Sequence, residues 1–255
     1  GNHHMALEEA LRVFLAAHPQ IGDIFYTTTP PGVLLKLIEY GGLYLGNLLL
    51  AIAPQVFISP PNILDQLVQS GAMAGHVPFM QSRGNVLLVR QRNPRRIQGI
   101  GDLLRADVRL FISNPETEAA SYNVYRDTLL GLARAAGLDV AAFEALLGRG
   151  PPRLVHGEAI HHREAPQALA SDRADVALVY YHLALRYTRI FPGWFEIVAL
   201  GGTPQAPQPT PENVLSRFHA GLMGGGGEWG GRLLEFLQGE TVTEIYIRHG
   251  LQRPG

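Results

Sequence analysis

The densest concentration of groups capable of chemistry is the run His161-His162-Arg163-Glu164. An arginine offers a planar pair of donors to an oxyanion or a carboxylate. The two imidazoles could instead ligate a transition metal, with His156 or His182 from neighbouring strand ends. Adjacent histidines on an extended chain point to opposite faces, which makes them poor co-ligands for one ion. Anion contact through Arg163, with His162 beside it, therefore ranks above metal ligation. The metal alternative would draw on His3 or His4, His161, His162 and Glu164. The plainer reading pairs Arg163 with Glu164 or with solvent and leaves the histidines on a loop surface.

Three loops share a second design. In Thr29-Pro30, Ser59-Pro60 and Glu164-Ala165-Pro166 a polar residue precedes a proline at or near the first helical turn. Proline is tolerated there because its missing N–H would have no partner in the helix, and Ser or Thr can cap the remaining amides. Ordinary capping explains any one of these loops. Several facing one cleft would form an anion site, since helix N-termini carry free N–H groups and partial positive charge. Thr28, Thr29, Ser59 and Asn62 are the candidate contacts, and Tyr180 at a strand end adds a hydroxyl. Asn2 and His3, before the first helix, supply another polar entry if Gly1 to Met5 is native sequence; a tag remnant is the equal alternative.

Catalysis has little to stand on. The sequence has no Gly-x-Ser-x-Gly elbow, phosphate loop or His-Glu-x-x-His helix, and Gly99-Ile100-Gly101 lacks the third glycine of a dinucleotide fingerprint. Neither an enzyme nor a cofactor is expected.

The elements that must position these groups alternate strand and helix. Helical periodicity runs from Ala6 to Ala17, Val33 to Tyr40, Pro61 to Ser70, Glu118 to Ala136, Ala141 to Leu147, Pro166 to Asp172 and Leu233 to Tyr246. Strands are expected at Ile24–Tyr26, Gln55–Ile58, Val86–Arg90, Val108–Ile112, Leu154–His156, Val176–Tyr180 and Ile197–Leu200. The alternation predicts an α/β fold with largely parallel sheets, whose ligands sit beyond the carboxyl ends of the strands.

Composition sets the remaining bounds. The chain's 255 residues, 46% hydrophobic and 17% charged, fold around a real core. A net charge of −1 leaves no footprint for nucleic acid, so any anion must be held by local geometry. Cysteine is absent, which removes disulfides, thiolate metal sites and cysteine nucleophiles. No apolar run reaches the length of a membrane span, and no signal peptide is visible, as in a mature chain.

Gln55 to Ser59, Leu64 to Gly71, Asn85 to Val89, Asn93-Pro94, Asp102 to Leu104, Asp107 to Leu110, Asn114 to Thr117, His156 to Glu158 and Ala174 to Tyr180 occur in an order and spacing with a precedent. Leu234 to Leu237 and Tyr246 to Leu251 continue it. From about Ile24 onward the chain resembles the type 2 periplasmic solute-binding proteins, and within them the molybdate/tungstate-binding branch of ABC transporter substrate-binding proteins. The resemblance implies a two-lobed α/β fold, each lobe a mostly parallel sheet flanked by helices and joined by crossover strands. Lobe one would comprise 1–80 with 195–255, and lobe two 81–194. It further implies an extracytoplasmic or periplasmic monomer that captures a tetrahedral oxyanion between its lobes and delivers it to an ABC permease. Carried over by position, the contacts fall on Thr27 to Gly32, on Glu118 to Ser121 (hence Ala120 and Ser121) and on Tyr180. Pro30-Pro31-Gly32 replaces a serine-bearing turn of the family, His161 to Glu164 is an addition, and the family's first strand is not visible before Asn2. A metal-binding relative and a ligand-sensing module are the alternatives.

Overall fold

A computed structural model describes residues 2–29, 31–45 and 47–255. Pro30, at the expected Thr29-Pro30 helix entry, lies outside the described residues. The chain forms two compact units, Gly1–Gln81 with Arg217–Gly255, and Ser82–Ser216. Residues 195–216, expected with the first lobe, belong to the second unit, because their strand pairs there.

The first unit opens with α1 (His4–Ala17), α2 (Pro31–Glu39), the hairpin β1 (Leu43–Leu45) and β2 (Leu48–Leu50), β3 (Val56–Ser59), α3 (Pro61–Gln69) and β4 (Met73–Ser82). The second contains β5 (Asn85–Arg90), β6 (Leu110–Ile112), α4 (Ala119–Ala135), α5 (Val140–Leu147), β7 (Leu154–His156), α6 (His161–Ala170), β8 (Val176–Tyr180), α7 (Tyr181–Ile190) and β9 (Phe195–Val198). The chain then returns to the first unit with β10 (Arg217–Met223), α8 (Gly230–Gln238), α9 (Glu240–Arg248) and β11 (Leu251–Gln252).

In the second unit the sheet order is β7-β6-β8-β5-β9. β6 runs parallel to β7 and β8, whereas β5 is antiparallel to both β8 and β9. Val86 to Val89 and Val176 to Val179 are buried throughout, because helices cover both faces of these central strands. Tyr125 and Leu129 of α4, Phe143 of α5 and Leu169 of α6 pack against them. The first unit orders its sheet β11-β4-β10-β3, with β10 antiparallel to β3 and to β4. Val56 and Ile58 face the cluster of Phe79, Phe218 and Tyr246, while Phe57 between them faces that of Leu64, Leu67 and Met223. That is the period-two signature of a strand covered on both sides.

Mostly parallel sheets are therefore not what forms: the second sheet is mixed, and the described β10 pairings of the first are antiparallel. The physical reason is β10, a returning strand that inserts between β3 and β4 and reverses their neighbours. Ile24–Tyr26 joins no sheet. The expected single helix Leu233–Tyr246 is broken at Gly239, whose ψ of 165° is extended. Arg253 staples that break, donating to the carbonyls of Leu237, Gly239 and Phe79 and to the Thr243 hydroxyl.

Two further features fix local geometry. Asn85 and Asn213, both buried, exchange hydrogen bonds: Asn85 N–H donates to Asn213 Oδ1 at 2.7 Å, and Asn213 Nδ2 donates to the Asn85 carbonyl at 2.9 Å. Beside them Gly84 has φ +80°, and a Cβ there would sit 2.8 Å from Pro209 Cβ. The second feature lies in α6, which starts at His161, five residues before the expected Pro166. Pro166 lacks an N–H, so the His162 carbonyl four residues earlier loses its helical donor. The hydroxyl of Tyr187 on α7 supplies the missing bond.

Replacing Tyr187 with Phe should cost about 1–3 kcal/mol in urea unfolding, the penalty for an unsatisfied buried carbonyl. In a Pro166→Ala background, where the alanine N–H can serve that carbonyl, the same replacement should cost less than half as much. Equal costs in both backgrounds would remove the compensation.

Candidate functional site

Solute contacts in an α/β fold are made where strands end and helices begin, so the decisive question is which first-turn amides remain unclaimed. α4 is 17 residues long, and its N-cap, Glu118, makes no side-chain cap. Among the described residues the amides of Ala119, Ala120 and Ser121 have no acceptor. Ala119 and Ala120 are exposed. The Ser121 hydroxyl donates to the Glu118 carbonyl at 3.1 Å, and the buried Ser113 donates to Ser121 at 3.0 Å. This entry is open, lined by small residues and two hydroxyls.

The α6 entry is closed. Glu164 reaches back to accept from the amides of Glu158, Ala159 and Ile160 at 2.8, 2.7 and 2.6 Å. Burial pushes this carboxyl up, but those three donors outweigh it and hold it below its ordinary range. The His161 amide donates to Glu118 Oε2 at 2.8 Å. Burial raises Glu118 above the usual carboxylate range, against the bond from His161, and the neighbouring Glu164 adds to the rise.

The α3 entry has few amides to offer, since Pro60 is its N-cap and Pro61 its first residue. Ser59 beside it is 3% exposed, and its hydroxyl has no partner among the described residues. Asn62 is exposed on the first turn. α1, like α4, has no side-chain cap. Its N-cap His3 is buried and places Nδ1 3.0 Å from the Tyr246 hydroxyl, and the buried Oδ1 of Asn2 is without a partner among the described residues. His3, His4, Thr28 and Thr29 line a cavity of about 460 Å³ within the first unit, shared with Leu11, Phe14 and Phe57. Thr28 and Thr29 approach it from a segment that is not a strand.

The added run at 161–164 does not form the polar cluster its composition suggests. His161 is wholly buried, its ring stacked on Phe111 at 5.0 Å and tilted against Tyr125 at 5.3 Å. Burial, reinforced by His162 and His156, lowers its pKa to about 3. Metal ligation by His161 is thereby corrected, because an imidazole enclosed by aromatic rings in a core has no room for an ion. Among the described residues no group of three His, Asp or Glu side chains could hold a metal. His162 is half-buried with its carbonyl bonded to Tyr187, and Arg163 is exposed on α6. Tyr180 is 5% exposed, with its ring packed against those of Tyr125 and His182. The structure thus gathers Ala120 and Ser121 in the second unit, and His3, His4, Thr28 and Thr29 around the first unit's cavity.

The family resemblance places Glu118 in the Glu118–Ser121 loop, but not its bond to the α6 amide. Its partner is 43 positions away, and only the position before α4 could have drawn notice. A second missed array is Asp65–His76–His219. His76 Nε2 lies 3.0 Å from Asp65, and its Nδ1 lies 2.8 Å from His219 Nδ1.

Bacterial extracellular solute-binding proteins match the chain over residues 1–252. The chain belongs to that family. Its members bind solutes and are not enzymes. No curated protein matches. Among solved structures, the chain is similar to the substrate-binding domain assigned to a molybdenum ABC transporter of Clostridium difficile, at 15% identity and TM-score 0.70, covering 100% of this chain and 96% of that one. PEB3 bound to L-phospholactate follows at 14% and 0.68, covering 100% and 97%. The periplasmic molybdate-binding protein of Azotobacter vinelandii matches at 16% and 0.57, covering 100% and 96%. These likenesses establish the two-lobed solute-binding fold for this family member.

His161 makes the protein acid-sensitive. Its folded pKa of about 3 lies below the ordinary imidazole value near 6.5, so the unfolded chain binds the proton more tightly. The stabilisation is fully present above about pH 6.5 and declines as pH falls toward 3, reaching a loss of about 2 kcal/mol at pH 5. His161→Leu should flatten this part of the stability curve in thermal melts, and an unchanged slope would refute the assignment.

Proposed function

We propose that this chain is an extracytoplasmic receptor that captures a small oxyanion, of the molybdate/tungstate type in size and charge, for uptake by an ABC transporter. The observation that carries the reading is the open α4 entry, where Ala119, Ala120 and Ser121 present amides that no group among the described residues accepts. Helix-terminal N–H groups and the helix dipole favour negative charge at that position without a formal cation. A net charge of −1 makes such local capture necessary. Ser121 contributes its amide, since its hydroxyl is committed to the Glu118 carbonyl; Ser59, Thr28, Thr29, Asn2 and His3 are separate candidate contacts within the first unit. Asn62, His162, Arg163 and Tyr180 are peripheral to it, Tyr180 because it is buried.

The kinds of ligand named for structural relatives agree with an acidic solute: molybdate for the Azotobacter protein, L-phospholactate for PEB3, and agropinic acid for AgtB of Agrobacterium tumefaciens, as named in a structure of that complex. The partner would be a permease of the ABC class. The transition-metal reading loses its principal ligand with the burial of His161.

Calorimetric titration with molybdate, tungstate, sulfate and phosphate tests the proposal. At least one should bind with a Kd of about 10 μM or tighter, that is about −7 kcal/mol. Ala120→Glu, which sets a competing carboxylate at the exposed entry, should weaken that binding at least tenfold, about 1.4 kcal/mol. Absence of heat and of thermal shift with all four would defeat the oxyanion reading.

A further inference from the structure

Away from the helix entries, three elements of the first unit bring Asp65 of α3, His76 of β4 and His219 of β10 into one array. Because β10 runs between β3 and β4, His219 stands directly opposite Ser59 on one side and diagonally from His76 on the other. His76 itself faces Gly221, which has no side chain to separate the two rings. Their centroids lie 4.9 Å apart at an interplanar angle of 66°. The Asp65 carboxylate accepts from His76 Nε2 at 3.0 Å, which fixes the ring proton there and leaves the Nδ1 lone pair free. That lone pair points at His219 Nδ1, 2.8 Å away. Two ring nitrogens thus converge on one point and share a single proton.

We infer that His76 and His219 form a zinc-binding site through their Nδ1 atoms, with Asp65 as the carboxylate that orients His76. The ion belongs to the first unit and is not the captured solute, so the inference is independent of the oxyanion reading. Two nitrogen ligands of a tetrahedral zinc ion lie about 3.3 Å apart, so the rings need to part by only about half an ångström. The ion takes the place of the shared proton: His219 gives up its Nδ1 proton and takes one at Nε2, which bonds nothing among the described residues. Both rings stay neutral, and no net proton is released. A carboxylate on the far nitrogen of a ligating imidazole fixes its tautomer and raises its basicity, which is the part Asp65 plays. Imidazole nitrogens select zinc over calcium or magnesium, which take oxygen ligands. Only two protein side chains ligate directly, consistent with the lack of a three-residue group among the described residues, and water completes the coordination. Ser59, 3% exposed and with a hydroxyl unpartnered among the described residues, stands opposite His219 where it can hold one of those waters. Arg217, two residues before His219, opposes a cation here, and the charge of Asp65 offsets it.

The test is calorimetric titration of the EDTA-treated protein, purified without nickel resin, with zinc chloride at pH 7.5. One ion per chain should bind with a Kd of about 10 μM or tighter. Imidazole nitrogen-15 spectra should show the Nδ1 resonances of His76 and His219 moving with added zinc. His219→Asn should weaken binding at least tenfold, and Asp65→Asn, which keeps both ligands, should weaken it about tenfold while the two Nδ1 shifts persist. His249→Asn, at the separate pair with Glu9, should leave the affinity unchanged. Melts of the metal-free variants establish that they fold, and His76→Gln takes the place of His219→Asn if that variant does not. Binding no tighter than about 100 μM in wild type, affinity that survives loss of either ligand, or affinity lost with His249→Asn would overturn the site and leave the oxyanion reading untouched.

Discussion

Asn85 and Asn213 meet in the interior of the second unit as a reciprocal pair, with Thr128 taking a hydrogen bond from Asn85 Nδ2 and another from the Val214 amide. All three side chains are buried, so removing any one leaves polar groups in a dry environment without partners. This lock holds residues 213–216 against the start of β5. From there the chain leaves the second unit and enters the first as β10, the strand that separates β3 from β4. The first sheet thus depends on a polar anchor that lies outside it. Gly84 allows the close approach, because any side chain at that position would collide with Pro209 and Asn213.

The functional argument is an accounting of helix amides. Each entry begins with donors that its own helix cannot use, and the protein disposes of them in different ways. At α3 prolines remove donors, at α6 two glutamates occupy them, and at α4 they stay available. Among these three entries, only that of α4 keeps amides available for the solute site proposed in the second unit. Local bonding, rather than net charge, distinguishes them.

The sequence made the second unit legible because its central strands are buried on both faces and read as unbroken apolar runs. Val86–Val89 and Val176–Val179 carry that signal. It failed for β4 and β10, where His76, Pro78 and His219 interrupt the pattern, and where the pairing partner of a strand depends on chain segments far away. The start of α6 was misplaced for a related reason: proline usually marks a first turn, and no local rule foresees that a tyrosine on the next helix will serve the orphaned carbonyl. Ala120 and Ser121 were reached only through family resemblance, since their importance lies in an acceptor that is missing. For Glu118 the resemblance supplied the loop but not the partner, because its side chain answers to α6 rather than to its own helix.

The bond between Tyr187 and the His162 carbonyl has an evolutionary consequence. Pro166 creates the vacancy that the tyrosine fills, so neither residue is optimal alone. A lineage that replaced the proline first would release the tyrosine to drift, whereas one that lost the hydroxyl first would carry a defect until the proline changed. The order of substitution is therefore constrained, and the two positions should covary across relatives although they belong to different helices.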